Sequence, residues 1–189
     1  MVLDTQYFPT VEFFAVAAEN STVFLEAHGK YCKQSYRNRC RILSANGALD
    51  LNVPIVHDGR TLVSEVLVDY STPWVNKTER ALDSAYYNSA FFEYYRDELF
   101  EVLGRGRSTL WELNLDIMEH LALKLGLRVE FKPTETFRGA DIGMHPKKES
   151  SYRPKEYWQV FSQKFGFVPG LSVIDLLFNE GPDSICFLK

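Results

Sequence analysis

Apolar positions recur along this chain at two periods, and the change between them organises the reading. After "DTQYFP", the apolar run from Val11 to Ala18 predicts a short helix. "STVFLEAH", β-branched and aromatic at its start, predicts a strand. In "RNRCRILSANGALDLNVPI" the pair Asn46-Gly47 is the one favoured for a two-residue type I′ hairpin. With that pair at the turn, paired residue numbers sum to 93, so Ile42 faces Leu51, Cys40 faces Val53 and Asn38 faces Ile55. Strict alternation then places Leu49, Leu51, Val53 and Ile55 on a core face. Arg37, Arg39 and Arg41 fall on the opposite one, with Leu43, Asp50, Asn52 and Pro54. "TLVSEVLVDY" continues the strand pattern.

Beyond Tyr70 the period becomes helical. Thr72 is a candidate N-cap with Pro73 at the first helical position, where its missing N–H costs nothing. Trp74, Thr78, Ala81, Leu82, Ala85 and Tyr86 form its buried stripe. A second helix is read from a Ser89 cap to Gly104, with Phe91, Phe92, Tyr95, Leu99 and Leu103 inward. A third carries a Thr109/Glu112 capping box and a Gly126 stop, and buries Leu110, Leu113, Ile117, Leu121 and Leu125. "LRVEF" and "YWQVF" read as short strands. Between them residues 132–156 lack periodicity, and a loop of that length in a compact domain is either functional or mobile. "LSVIDLLFNEGP" predicts a helix apolar on almost every side, hence buried, with Ser172 and Asp175 at its start and Gly181-Pro182 at its end. The fold expected is α/β or α+β: one domain over residues 1–189, a mostly antiparallel sheet with the Asn-Gly hairpin, and three to four covering helices.

Composition narrows the function classes. The chain has 189 residues, enough for a sizeable core without staples, and is 46% hydrophobic and 14% aromatic. A net charge of −4 argues against a general nucleic-acid binder. No apolar stretch approaches the ~20 residues that cross a bilayer, and "MVLDTQYFPT" has no leader pattern. Three unpaired cysteines fit a reducing compartment. The expectation is a cytoplasmic protein with no membrane and no nucleic-acid partner.

Against that acidic balance, "KYCKQSYRNRCRI" gathers five Lys and Arg between residues 30 and 42. Neighbouring guanidinium groups repel, and Arg grips carboxylate or phosphate bidentately, so Arg37, Arg39 and Arg41 are candidate holders of an anionic small molecule. The alternative is an exposed strand face neutralised by Asp50 and other acids. Asn38, on the core face, needs partners for its amide and either organises backbone or touches a ligand. His28 and Cys32 are close enough in sequence to be weighed as acid–base and nucleophile, against an ordinary semi-exposed cysteine. His57 and His145 lie in loops and can act as acid or base. His120 neighbours Glu119 on the third helix. The four histidines show no metal-ligand spacing, and no phosphate-cradling glycine motif occurs, so neither metal nor cofactor is expected. "GRGRS" is either an anion site at a helix start or a solvated connection. "YYNSAFFEYY" fits a helix–helix seam better than a stacking platform.

Several of these stretches occur in one order: "QYFPTVEFF", "YRNRCRI" with "NG" after it, "AYYNSAFFEYY", "LWELNLDIMEHLALKLG" and "FVPGLSVIDLLFNEGP". Together they resemble the bacterial WbqC-like protein family over nearly the whole chain. The resemblance implies a place in surface-polysaccharide gene clusters such as those for O-antigen. It implies a transferase of acyl or aminoacyl groups to a sugar intermediate, with a non-catalytic partner of a pathway enzyme as the alternative. It also marks Gln6, Asn38, Arg39, Asp175 and Asn179 as the family's recurrent polar positions. The sequence departs from the family where many members have Gln-Pro and this one has Gln6-Tyr7. It departs again after Trp74, where "WVNKTER" lacks the His that many members carry. The site expected is therefore Gln6, Asn38, Arg39, Arg41 and Arg37 for the ligand, with His28 and Cys32 for chemistry.

Overall fold

The first helix decides how the first two strands pair. A computed structural model describes residues 1–148 and 150–189. Strand β1 (Val2–Leu3) leads through helix α1 (Val11–Ala18) to strand β2 (Thr22–Leu25). A crossover through a helix returns the chain in its original direction, so β1 and β2 pair in parallel, Val2 beside Phe24. The same holds for β5 (Glu130–Pro133), which adds to the other edge of β2 with Val23 beside Phe131. The order is β1-β2-β5. The expectation of a mostly antiparallel sheet is thus overturned. Crossover connections through helices separate these strands, and such crossovers bring the chain back in parallel.

The antiparallel hairpin is separate: β3 (Arg39–Ser44) against β4 (Gly47–Asn52). Its turn is not Asn46-Gly47. Ala45 and Asn46 form the two-residue loop, and Ser44 pairs with Gly47, which takes the positive φ of 103° just after the turn. Ser44 explains the shift: its Oγ donates to the Gly47 carbonyl at 2.8 Å and accepts from the Asn46 amide at 3.2 Å. Cys40 therefore faces Leu51 rather than Val53. A slip of two preserves the facing of every side chain, so Cys40, Ile42, Leu51 and Val53 are still buried, while Leu49 at the tip is exposed.

Two further predicted strands do not form ladders. "TLVSEVLVDY" contributes isolated bridges, among them Ile55 with Val68 and Leu67 with Thr109. "YWQVF" is not a strand because Gln159 replaces a neighbouring chain. Its amide accepts from the Val168 N–H at 2.9 Å and donates to the Val168 carbonyl at 3.0 Å.

Helix α2 (Trp74–Tyr86) starts one residue later than expected, with Pro73 at the cap position and no side-chain cap bond from Thr72. Helix α3 (Phe92–Leu103) starts beyond Ser89, whose hydroxyl instead donates to the Tyr86 carbonyl at 2.7 Å. Helix α4 (Leu110–Lys124) has the predicted Thr109/Glu112 box and ends before Gly126, at φ 69°. The "GRGR" arginines fold onto this helix, Arg105 and Arg107 both pairing with Asp116. A short helix α5 (Ser162–Phe165) precedes α6 (Val173–Glu180), every residue of which from Val173 to Asn179 is buried. A 3-10 turn and α7 (Ser184–Leu188) end the chain. One core cluster runs from Leu3 to Leu188, with Phe178 between Tyr86 and Phe92, each ring 5.0 Å away. Among the described residues no helix is long and apolar enough to cross a membrane.

Asp175 does not cap α6. Ser172 does so, accepting from the Ile174 amide at 3.4 Å. Asp175 points into the core, where it accepts hydrogen bonds from Tyr86 Oη (2.9 Å), Tyr157 Oη (2.8 Å) and Gln159 Nε2 (3.0 Å). Burial raises its pKa from 3.8 to about 6, although all three donors act to lower it. The folded state therefore binds this proton more tightly than the unfolded chain. The contribution to stability is full below the unfolded pKa and is lost as pH rises from about 4 to about 6, on the order of 3 kcal/mol. Urea unfolding across that window is expected to show the decline, and Asp175→Asn to flatten it. Tyr157→Phe, which leaves the carboxylate short of one donor, is expected to cost about 1–3 kcal/mol of unfolding free energy near neutral pH.

Candidate functional site

A buried carboxylate organises one wall of the candidate cleft. Glu26 follows β2 and is 2% exposed. It accepts from the amides of Arg138 and Gly139 at 2.7 Å each, from the His28 amide at 2.8 Å and from the Thr134 hydroxyl at 3.3 Å. Burial pushes its pKa up, but these donors together outweigh burial and leave it below its ordinary 4.5. The segment after β5 is thereby fixed to the central strand. Asp141 fastens it again, its carboxylate accepting from the Val2 amide at 2.6 Å and its own amide donating to the Val2 carbonyl at 2.8 Å. Residues 142–146 and 150–154 then border a concavity together with Thr10, Val11 and Glu12 at the start of α1 and with Arg41 of β3. Glu149, within the loop expected at 132–156, lies outside the described residues.

Two concavities open between this segment and the rest of the molecule. The larger, about 340 Å³, is bordered by Thr10, Glu12, Arg41, Tyr152 and Arg153. The smaller, about 170 Å³, is bordered by Asp4, Thr5, Gln6, Ser35 and Arg37. They share a wall of Tyr36, Gly143, Met144, His145 and Lys148.

The residues expected in the site are divided by the fold. Gln6, Arg37 and Arg41 come to the concavities, and Arg39, Asn38, His28 and Cys32 do not border either. Gln6 is buried; its Oε1 accepts from the Thr10 amide at 3.0 Å and its Nε2 points to the Met144 sulfur at 3.2 Å. That turn holds Phe8 at φ 44°, a left-handed conformation that costs a non-glycine residue about 1–3 kcal/mol. Arg37 precedes β3 and so does not share the strand alternation; its Nη2 meets Asp4 at 2.6 Å. Arg39 and Arg41 both reach Asp50, at 3.3 and 2.9 Å, and Arg39 also donates to Asn52. Asp50 stands directly across the ladder from Arg41. The repulsion in the arginine row is therefore relieved by Asp4 and Asp50. Asn38 donates to the Val53 carbonyl at 2.9 Å and so fastens the hairpin base. His28 is exposed, with Nε2 on the Thr134 carbonyl at 3.0 Å. Cys32 is exposed, its thiol against the Lys33 carbonyl. Cys40 is buried, and burial drives its thiol pKa far up.

His145 is the histidine that the fold brings to the cleft. Burial, then Lys148, Lys147, Arg37 and Arg39, hold its pKa below 6.5, so the ring is neutral near pH 7. Tyr36 and Arg153 are also brought in. Arg153 ends on the carbonyls of Ser150 and Tyr152 and, among the described residues, has no carboxylate partner. The aperiodicity of residues 132–156 was the sequence signal for His145 and Arg153. Nothing local pointed to Glu26 or Tyr36. Among the described residues no group of three or more His, Cys, Asp or Glu is placed to hold a metal ion.

The family model described as the WbqC-like protein family matches residues 5–145 and 135–186. The chain belongs to the WbqC-like protein family. It is also 24% identical, over 226 aligned positions, to "Uncharacterized protein Rv1507c" of Mycobacterium tuberculosis (strain ATCC 25618 / H37Rv). That alignment covers 100% of this chain and 96% of the relative. No solved structure matches.

Glu26→Gln replaces one acceptor oxygen with an amide that faces backbone donors. Faster amide hydrogen exchange at Arg138 and Gly139 is expected, with a loss of about 1–3 kcal/mol in stability at neutral pH. Because the wild-type pKa is lowered, that difference shrinks as pH falls through it. Unchanged exchange at those two amides contradicts the clamp.

Proposed function

We propose that the protein is an enzyme of bacterial surface-polysaccharide biosynthesis that binds an anionic sugar-linked or acyl/aminoacyl substrate in the two joined concavities. It transfers an acyl or aminoacyl group to a sugar intermediate. The pathway rests on what the WbqC-like resemblance implies. The substrate class rests on one observation: a cleft of ligand size has cationic side chains in both parts, Arg41 and Arg153 in the larger, Arg37 in the smaller and Lys148 on the shared wall. Small-molecule sites begin at about 300 Å³, and the larger concavity alone reaches about 340 Å³. Arg41 and Arg37 are pre-oriented by Asp50 and Asp4, so they offer directed donors with reduced net charge. Arg153, with no carboxylate partner among the described residues, supplies the less compensated positive charge. Gln6 holds the turn into α1 and, through Met144, the wall opposite.

In this reading Arg39 and Asn38 support the hairpin from outside the cleft. His28 and Cys32 would take part only by moving toward it.

Titration with nucleotide-sugars and with acyl and aminoacyl donors, followed by calorimetry, tests the proposal. At least one class is expected to bind. Arg41→Ala and Arg153→Ala are each expected to weaken binding about tenfold, the worth of one charge-assisted hydrogen bond. Arg39→Ala is expected to change it less than about threefold, because Arg39 borders neither concavity. Loss of binding in Arg39→Ala with Arg41→Ala unaffected would overturn the placement of the site. A stable protein partner recovered by a pull-down, with no small-molecule binding, would favour the non-catalytic alternative.

A further inference from the structure

One titratable ring stands where the two concavities meet. His145 borders both. Its Nδ1 accepts a hydrogen bond from the Lys147 backbone amide at 3.1 Å. A backbone N–H can only donate, so Nδ1 presents its lone pair to Lys147, and the single proton of the neutral ring is on Nε2.

The surroundings keep the ring neutral. The charged groups around it are Lys147 and Lys148 on its own segment, Arg37 and Asp4 around the smaller concavity, and Arg41, Arg153 and Glu12 around the larger. Arg39 adds to the positive field from the hairpin. The two carboxylates are engaged elsewhere, Asp4 by Arg37 at 2.6 Å and Glu12 by the Ser150 hydroxyl at 2.8 Å. Among the described residues no carboxylate forms an ion pair with His145, and burial with the neighbouring cations disfavours an imidazolium there.

We propose that His145 is a ligand-contacting residue that donates a hydrogen bond from Nε2 to a carbonyl or phosphoryl oxygen of a ligand spanning both concavities. This rests on the reading of the cleft as the substrate site. The arrangement selects one role among those open to histidine. The basic lone pair is occupied by the Lys147 amide, so the ring is not a ready base. A neutral imidazole is also a weak acid. What remains is a fixed donor that polarises an acceptor oxygen, flanked by Arg37 on one side and by Arg41 and Arg153 on the other. The ligand this fits is elongated, anionic toward its ends, with an acceptor oxygen near its centre.

Two measurements test the proposal. Long-range ¹H–¹⁵N spectra of the ligand-free protein near neutral pH are expected to show His145 as the neutral Nε2–H tautomer. An Nδ1–H tautomer or a doubly protonated ring overturns the assignment. Calorimetry with UDP-N-acetylglucosamine and acetyl coenzyme A as probes is expected to show about tenfold weaker binding in His145→Ala. His145→Gln, whose amide donates from a similar position, is expected to stay within about threefold of wild type. Affinity unchanged in His145→Ala but reduced in Arg41→Ala overturns the role of His145 and leaves the cleft reading standing. Absence of binding of either probe to the wild-type protein overturns both.

Discussion

A carboxylate buried in the core must find donors for its oxygens, and in this protein that requirement draws three distant segments together. Asp175 on α6 is met by Tyr86 from the end of α2 and by Tyr157 and Gln159 from the stretch before α5. Gln159 in turn binds both backbone groups of Val168, closing the loop that leads into α6. Apolar packing alone would let α6 rotate among similar greasy neighbours, since almost every face of it is hydrophobic. Only one rotation satisfies Asp175. The aromatic contacts of Phe178 with Tyr86 and Phe92 then fall into place on the adjoining face. The α6 N-terminus also ties further elements together. Thr10 bridges to Ser172, and the Ser172 amide donates to the Arg41 carbonyl at 2.8 Å. The start of α1, the hairpin and α6 are thus joined beside the larger concavity.

The same economy of buried or half-buried acids recurs across the molecule, with different consequences. Glu26 uses backbone amides and stays ionised, so it acts as a permanent clamp on the segment that walls the cleft. Asp175 has only neutral donors and sits nearer its neutral form. Asp50 and Asp4 neutralise the arginine row while leaving Arg41 and Arg37 on the edges of the two concavities. These pairs are half-buried and still reached by solvent, so each adds only modestly to stability. Their value here is orientation: a guanidinium held from behind presents its remaining donors forward.

Bringing His145 to the junction depends on these clamps. The residue belongs to a loop without periodicity, and its position is inherited from Glu26 just after β2, from Asp141 of the same loop bonded to Val2 of β1, and from Gln6 in the turn before α1. The cleft is therefore a product of the parallel sheet. Strand β2 places Glu26, strand β1 receives Asp141, and β5 delivers the loop between them.

Local patterns in the chain determined much of what is local in the fold. The buried stripes of α2, α3 and α4, the Thr109/Glu112 box, the Gly126 stop and the all-round burial of α6 follow from side-chain period and cap chemistry, which act over three or four residues. The two-residue alternation was legible in the middle of the hairpin, where Cys40, Ile42 and Leu51 are buried despite a register error of two, but not at its tip, where Leu49 is exposed and Leu43, expected on the basic face, is buried. The WbqC-like family was legible too, from stretches in a fixed order. Tertiary structure alone decided the rest. Strand direction depends on the path of connections tens of residues long, so the parallel sheet was invisible to local pattern. The turn moved to Ala45-Asn46 because the Ser44 hydroxyl closes it. Asp175 looked like a helix cap, and its partners lie 16 to 89 positions away. The arginine row read as one basic face, yet it divides between two concavities and an outside edge, because Arg37 precedes the strand and Arg39 turns toward Asn52. Hydrogen bonds between residues far apart in sequence carry no periodic trace, and they are what assemble the candidate site.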